Sequence, residues 1–144
     1  MAWEFWIEEA RRGRWREVEE PHAGGEQLRV RTTASAISRG TERLVWEGRV
    51  PDSVAGLMAA PAQRGTFPFP VSYGYLAVGI IDEGPTDQLG QRIFGLLPHH
   101  THHIVTPADI HPVPEAVPTS RALLAGAAET GINILWQAPP RFGD

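Results

Sequence analysis

Glycine and proline interrupt this chain so often that few segments between them are long enough for a long helix. The 144 residues include 15 Gly and 13 Pro, and both residue types break regular structure. Short segments of alternating polarity lie between these breaks, a pattern typical of half-buried β-strands. The sequence therefore predicts a mainly β protein with short helices. Its length, with 42% hydrophobic residues, suits one sizeable core and not two.

The first quarter of the chain predicts a hairpin and a third strand. Residues 2–9 (AWEFWIEE) and 14–20 (RWREVEE) both alternate in polarity, and Gly13 lies between them as the expected turn. Residues 27–37 alternate apolar residues with arginines before Ser38. Strands this short, with turns at this spacing, predict a small barrel. Further strand candidates are residues 75–82, 91–97, 102–106 and 110–113.

Three other segments predict helices. TERLVWEG would begin at Thr41, whose hydroxyl is a candidate cap, and would stop at Gly48. SVAGLMAA, residues 53–60, predicts a second short helix. Residues 120–138 carry apolar residues at helical spacing behind an N-cap candidate, Ser120. One long helix and two short ones both fit this last pattern.

Composition excludes several functional classes. The formal net charge is −4 and no long basic run occurs, which argues against a nucleic-acid partner because phosphate binding needs clustered positive charge. The absence of cysteine excludes disulfides, thiolate zinc sites and a cysteine nucleophile. No apolar run approaches the length of a membrane span, and the N-terminus lacks a signal-peptide core. We therefore expect a cytoplasmic protein without a membrane partner.

The order of the motifs resembles a known family. A strand hairpin is followed by SAISRGTE, PVSYGYLAVG, GQRIFG, VTPAD and finally ALLAGAAETGINILW with APPRFGD. This series resembles the N-terminal GroES-like catalytic domain of medium-chain dehydrogenases/reductases, in the branch of zinc-binding dehydrogenases. The resemblance implies a GroES-like partly open β-barrel over residues 1–118. It also implies a joining helix within residues 119–144 that would lead into a Rossmann nucleotide-binding domain.

The resemblance implies NAD or NADP as the cofactor of the full-length protein. In full-length members, the segment matching PPRFGD leads into a glycine-rich turn that holds the pyrophosphate. No GxGxxG motif occurs in these 144 residues, so we expect the chain alone to bind a dinucleotide weakly and to be inactive. A truncated chain, a broken gene product and a half that needs a partner all remain open.

The family's zinc ligands are not kept in this sequence. By motif, Ser38 takes the position of a cysteine ligand, Tyr75 that of the histidine and Leu76 that of the following glutamate. The third ligand position falls near Gly126, with Glu129 one helical turn away. None of the three matched side chains is a usual zinc ligand. We therefore expect neither a catalytic nor a structural zinc ion.

The resemblance also implies candidate site residues for a zinc-independent reaction on an alcohol or carbonyl substrate. Ser38, Thr41 and Tyr75 would polarise the substrate or relay a proton through their hydroxyl groups. Arg39 matches a position that touches cofactor phosphates, and Thr130 matches one that contacts nicotinamide. Each residue also has a purely structural interpretation, such as packing for Tyr75 and Thr130 or a solvated loop for Arg39.

The stretch PHHTHH suggests a metal site independently of the family. Imidazole is a common metal ligand, and residues two apart in a strand share a face. No Asp, Glu or Cys joins the run locally, so surface histidines that bind ions only adventitiously are favoured. The four side chains are His99, His100, His102 and His103.

Two functional hypotheses therefore remain. The first is the substrate-side half of an oxidoreductase, which would pair with a Rossmann domain. The second is a non-catalytic GroES-like binding or oligomerisation module, in which the apolar residues of the joining helix would form a homo-oligomer interface. Those residues are Leu123, Leu124, Ile132, Ile134, Leu135 and Trp136.

Overall fold

Nine short strands and four short helices make up the computed structural model, which describes residues 1–138, 140, 141 and 143. The strands are β1 (Ala2–Glu9), β2 (Arg12–Val18), β3 (Leu28–Ser35), β4 (Arg64–Gly65), β5 (Val71–Ser72), β6 (Ala77–Glu83), β7 (Arg92–Gly95), β8 (His102–Val105) and β9 (Ile110–Pro112). The helices are α1 (Thr41–Trp46), α2 (Ala55–Met58), α3 (Thr119–Ala122) and α4 (Ala125–Gln137). Single 3₁₀ turns occupy Asp52–Val54 and Pro107–Asp109. The prediction of a mainly β protein with short helices is confirmed.

The strands form two antiparallel sheets, which is the architecture of a partly open barrel. The smaller sheet has the order β2-β1-β5-β4 and the larger one β8-β3-β6-β7-β9. One buried cluster belongs to the larger sheet and includes Leu28, Val30, Ile81 and Ile93. A second buried cluster includes Val71 of the smaller sheet, Val45 of α1, and Phe67 and Phe69 of the proline-rich segment before β5.

The predicted hairpin is confirmed, but its turn lies earlier than expected. The strands turn at Ala10 and Arg11, and Arg11 adopts a φ of 61°. Gly13 instead lies inside β2, where a Cβ atom would stand 2.5 Å from the ring of Phe5. The glycine is there to admit a neighbouring aromatic ring, not to make a turn.

One segment connects the two sheets, and we call residues 99–101 the crossing segment. The amide of Phe5 in β1 donates to the carbonyl oxygen of His99 at 3.0 Å, and the amide of Thr101 donates to that of Trp3 at 2.9 Å. The amide of Thr32 in β3 donates to the carbonyl oxygen of Thr101 at 2.9 Å. Residues 99–101 therefore bond to both sheets before the chain enters β8.

The helix boundaries differ from the predictions in three places. Thr41 is the first residue of α1 and not its cap, because Gly40 occupies the N-cap position without a side-chain hydrogen bond. The last segment forms two helices, and Pro118 is the N-cap where Ser120 was predicted. Residues 53–60 contain only a 3₁₀ turn and the four residues of α2. Within the described residues, none of the helices combines the length and apolar character needed to cross a membrane.

Candidate active-site groove

A groove with apolar walls lies beside α1, and we call it the α1 groove. Its cavity volume is about 540 Å³. Its polar lining consists of Arg39, Glu42, Arg43 and His99. Pockets of this kind, apolar with a few convergent polar groups, are typical of small-molecule sites. The apolar lining consists of Phe5, Ile7, Ile37, Trp46 and Tyr73.

A chain of three side chains includes two residues of the groove lining, Glu42 and His99, and one residue outside that lining, Ser35. Glu42 Oε2 lies 2.7 Å from His99 Nε2, and His99 Nδ1 lies 2.9 Å from Ser35 Oγ. The side chains of His99 and Glu42 are only 13% and 10% exposed. Because each ring nitrogen has a partner, the imidazole is held in one orientation between an acid and a hydroxyl. Such a chain can hold and move a proton.

Local backbone geometry explains how Glu42 reaches His99. Glu42 lies in the first turn of α1, where its Oε1 atom accepts a hydrogen bond from the amide of Ser38 at 2.7 Å. The amide of Glu42 donates to the Ser38 carbonyl oxygen at 3.0 Å. These two bonds fix the side chain against the loop that precedes the helix. An acidic residue in the first turn is also favoured by the helix dipole.

Gly74 leaves room for the imidazole ring of His99. Its φ is 126°, a conformation that L side chains rarely adopt. A Cβ atom at this position would lie 2.9 Å from His99 Nε2. The glycine of the YGY motif is therefore required by the His99–Glu42 pair as well as by its own backbone conformation.

The predicted site residues lie in three places. Ser38, Arg39 and Thr41 lie together at the start of α1, next to Glu42. Tyr75 is half-buried in the apolar clusters beneath the groove. Thr130 is exposed on α4, donates to the carbonyl oxygen of Gly126 at 3.1 Å, and is not among the residues that line the groove.

Tyr73 lines the groove and is buried, whereas its neighbour Tyr75 is only half-buried and does not line it. The two rings meet edge to face with centroids 6.0 Å apart. The Tyr73 hydroxyl donates to the carbonyl oxygen of Met58 at 2.6 Å, and burial raises the pKa of this phenol to about 12. Tyr73 therefore stays protonated and holds the end of α2 at the wall of the groove.

Sequence reasoning missed Ser35, Glu42 and His99. Glu42 lies within the SRGTE motif, and His99 begins the PHHTHH run. Nothing local in the sequence indicates that these distant positions meet. The interpretation of the run as surface histidines is wrong for His100 and His103, which are 3% and 6% exposed.

The residues at the family's zinc positions do not fit a zinc ion. Ser38 and Tyr75 are not usual ligands, and Leu76 is a buried core residue, 7% exposed. Among residues 1–138, 140, 141 and 143, no three His, Cys, Asp or Glu side chains form a group suited to a metal ion. We derive no step through a metal from this donor set.

One of the residues present could contact the phosphates of a dinucleotide. Arg39 lines the groove and is exposed, and its guanidinium group forms no ion pair with any described residue. A guanidinium group matches the geometry of a phosphate. Arg39 is thus suited to the phosphates of NAD or NADP, while Thr130 keeps only the lone pairs of its hydroxyl for a further contact.

Comparison with known proteins gives structural matches only. No family model matches the chain, and no curated protein sequence matches it. Among solved structures, a short chain alcohol dehydrogenase from E. coli CFT073, complexed with NADH, superposes with a TM-score of 0.74 at 16% identity, over 99% of this chain and 47% of that one.

Two quinone oxidoreductases superpose similarly. The enzyme from Coxiella burnetii matches with a TM-score of 0.72 at 15% identity, over 100% of this chain and 47% of that one. The enzyme from Thermus thermophilus, also described in complex with NADPH, matches with a TM-score of 0.65 at 17% identity, over 96% and 41%. The chain thus spans less than half the length of these structures. The chain has the GroES-like fold of medium-chain dehydrogenases/reductases, as the motif series implied.

Proposed function

We propose that this chain is the substrate-side domain of a zinc-independent, NAD(P)-dependent medium-chain oxidoreductase that acts on an alcohol or a carbonyl. The observation that carries the proposal is the Ser35–His99–Glu42 chain beside an apolar groove. The similarity to a dehydrogenase complexed with NADH supports it. The nicotinamide, when bound, would supply or accept the hydride.

The side chains of this domain would supply the proton that accompanies the hydride. Reduction of a carbonyl leaves an oxygen that must be protonated, and Ser35 Oγ is an exposed hydroxyl hydrogen-bonded to His99. The imidazole would return a proton to Ser35, while Glu42 holds the ring and stabilises its charged form. We further propose Ser38, Thr41 and Tyr75 as hydroxyl donors, with Arg39 and Thr130 toward the cofactor.

The walls of the groove indicate the kind of substrate. Phe5, Ile7, Ile37 and Trp46 present apolar surface next to the Glu42–His99 pair. A substrate with an apolar or aromatic substituent would bury that surface, whereas a highly charged one would lose its hydration there. We therefore propose an apolar alcohol or carbonyl compound as the substrate.

Isothermal titration with NADH and NADPH tests the cofactor assignment. The 144-residue chain is compared with a chain lengthened by the next coding segment, and we expect only the longer one to bind. Binding by the short chain would contradict the argument from the missing glycine-rich turn. If neither binds, the oxidoreductase proposal is wrong and the module hypothesis replaces it.

Substitutions in the Ser35–His99–Glu42 chain, the proposed proton relay, test the catalytic assignment in the longer protein. His99→Gln and Glu42→Gln are each expected to lower kcat for carbonyl reduction by at least about a hundredfold, the usual effect of losing a general acid–base group. His102→Gln is the matched control, because His102 is in the same run and bonds to Thr101 instead. Full activity of both relay variants would overturn the assignment.

The second candidate is a non-catalytic oligomerisation module, which the surface of α4 favours. Four of its large apolar side chains are exposed, and Trp136 reaches 77%. Isolated exposed apolar residues are common, but a group on one helix marks an interface. The others are Ile132 at 45%, Ile134 at 60% and Leu135 at 53%.

A further inference from the structure

The Ser35–His99–Glu42 chain combines a hydroxyl, an imidazole and a carboxylate in the order of a nucleophile, its base and an acid. A serine hydroxyl becomes a nucleophile when an imidazole lies within hydrogen-bond reach and a third group orients that imidazole. His99 Nδ1 lies 2.9 Å from Ser35 Oγ, and His99 Nε2 lies 2.7 Å from Glu42 Oε2. The three side chains therefore match the triad of serine hydrolases, which recurs on unrelated folds and is recognised by its geometry.

The carboxylate of Glu42 decides which ring nitrogen carries the proton. An ionised carboxylate only accepts hydrogen bonds, so His99 Nε2 must donate to Glu42 Oε2. A neutral imidazole has one N–H group, which leaves Nδ1 as the bare nitrogen, and the Ser35 hydroxyl donates to it. Compared with the chymotrypsin triad, the two ring nitrogens have exchanged partners while each partner keeps its role. This tautomer is the one that a serine nucleophile requires.

The hydroxyl of this triad is open to solvent, whereas the two groups behind it are not. Ser35 is an exposed residue, and among the described residues its hydroxyl bonds only to His99. The side chains of His99 and Glu42 are nearly buried. A reactant can therefore reach Ser35 Oγ while the acid–base pair stays shielded from water.

Backbone hydrogen bonds hold the nucleophile and its base in place independently. Ser35 is the last residue of β3 and pairs with Ala77 of β6. The amide of His99 donates to the carbonyl oxygen of Tyr73 at 3.4 Å, and the His99 carbonyl oxygen accepts from the amide of Phe5 at 3.0 Å. Catalytic groups need supports of this kind, because their geometry must exist before the reactant arrives.

The α1 groove provides apolar surface next to the triad. His99 and Glu42 line the groove, and Ser35 lies outside the lining but is bonded to His99. The walls beside these two residues include Ile37 and Trp46. An ester with an apolar group would bury that group against the walls while its carbonyl carbon lies at the solvent-exposed hydroxyl.

We propose that Ser35 is the nucleophile of an acyl-transfer site for apolar carboxylic esters, with His99 as its base and Glu42 as a positioning residue. Ser35 Oγ forms a bond to the acyl carbon, and the hydroxyl proton passes to His99 Nδ1. The bond between the acyl carbon and the leaving oxygen breaks, and that oxygen receives the proton. A water molecule, which gives a proton to His99, then attacks the acyl-serine; the carboxylic acid leaves and the proton returns to Ser35.

The acyl-transfer proposal uses side chains of the proposed proton relay but does not rest on the oxidoreductase function. Ester cleavage consumes water and needs no nicotinamide, so the 144-residue chain can perform it without a second domain. A chain that binds no NADH can still be acylated, and a working oxidoreductase can leave its serine unmodified. The two proposals therefore fail in different experiments.

Reaction of the 144-residue chain with para-nitrophenyl butyrate tests the proposal. Absorbance follows the release of para-nitrophenolate, and mass spectrometry of peptides locates the butyryl group. We expect Ser35 to be acylated at least about a hundredfold faster than Ser53 and Ser120, which is the usual contribution of a general base. These two serines are exposed and form no hydrogen bond with a histidine among the described residues. Equal acylation of the three serines, acylation of a histidine without Ser35, or no acylation would overturn the proposal.

Variants separate the base and the positioning residue from a general effect on the fold. His99→Gln is expected to lower the acylation rate of Ser35 by about a hundredfold. Glu42→Gln keeps an oxygen for the amide of Ser38, but its NH₂ group donates to His99 Nε2 and moves the ring proton to Nδ1. We expect the same loss of rate in this variant, together with exchanged nitrogen NMR signals of the two His99 ring nitrogens. His102→Gln, in the same run, is the control and is expected to react as the wild type does. Acylation of Ser35 at the wild-type rate in His99→Gln or Glu42→Gln would contradict the assignment.

Discussion

At the residue scale, neighbouring histidines of one run occupy different environments. His99 is held between a serine and a glutamate at the groove, while His100 and His103 are buried against each other. Burial lowers the pKa of both His100 and His103 to about 3. One histidine of the run thus bridges two polar side chains, whereas two others are neutral core residues.

Acidification is expected to destabilise the protein from about pH 6.5 downward. The unfolded-state pKa of histidine is 6.5, and the folded values of His100 and His103 are about 3. Between these values the unfolded chain binds more protons, so the free energy of unfolding falls as pH falls, by up to about 1.4 kcal/mol per pH unit for each group. Above pH 6.5 the two histidines no longer make the free energy of unfolding depend on pH.

Urea unfolding at a series of pH values measures this slope. His103→Phe is expected to reduce the loss of the free energy of unfolding between pH 6.5 and 5. The carboxylates whose pKa values are lowered by arginine partners, such as Glu8 and Glu47, act only below about pH 4.5. A free energy that is constant from pH 7 to 5 would contradict the prediction.

The sequence places residues together where they are adjacent in the chain, and it gives no sign of contacts made across the fold. Ser38, Arg39 and Thr41 lie within four residues of one another, so their proximity follows from adjacency. Glu42 and His99 are 57 residues apart, and their pairing depends on a helix turn and a positive-φ glycine. No single-position signal reports such a pairing.

At the scale of elements, β6 is the centre of the larger sheet. It pairs with β3 on one side and β7 on the other. Gly79 lies in the middle of β6, where a Cβ atom would be 2.4 Å from Val30 Cγ1 and 2.7 Å from the Arg31 carbonyl oxygen. The sheet is packed against the backbone itself at this point.

Gly79→Ala is expected to lower the free energy of unfolding by about 1–3 kcal/mol, because the added methyl group overpacks the interface with β3. Gly56→Ala in α2 is the matched control: a Cβ atom there meets nothing within 4 Å, and alanine favours helix. Thermal or urea unfolding of both variants measures the difference. A Gly79→Ala protein as stable as the wild type would contradict this account of the sheet.

Alternation in the sequence predicted the long strands better than the short ones. The predicted strand at residues 2–9 has the same bounds as β1. Strands β4 and β5 have two residues each, too few to show a period, and were not predicted. The predicted strand at 75–82 begins instead at Ala77, because Gly74 turns the chain and Tyr75 packs into the clusters before pairing starts.

At the scale of the whole molecule, apolar surface is unevenly distributed. The two sheets bury their apolar residues in the clusters described above, whereas no residue of α4 is buried. The division into residues 1–118 and 119–144 remains a prediction. Ala122 of α3 packs with Val78 and Phe94, so the barrel core extends to the first helix beyond residue 118.

Self-association through α4 is expected, because exposed apolar surface on one helix is buried by pairing. Sedimentation at increasing concentration is expected to show a rising average mass. Ile134→Glu combined with Trp136→Glu is expected to abolish the rise, and Leu57→Glu, at an 88% exposed position on α2, is expected not to. A constant monomer mass would count against the oligomerisation module.

The crossing segment bonds to both sheets, so we expect the two sheets to open together. Thr101 bonds to Trp3 in the smaller sheet and to Thr32 in the larger one. The amide protons of Phe5, Thr32 and Thr101 would then share one opening event, and we expect their hydrogen-exchange rates to change together under mild denaturant. His99 of the groove is the first residue of that segment, so we expect loosening of the groove to speed exchange at all three amides.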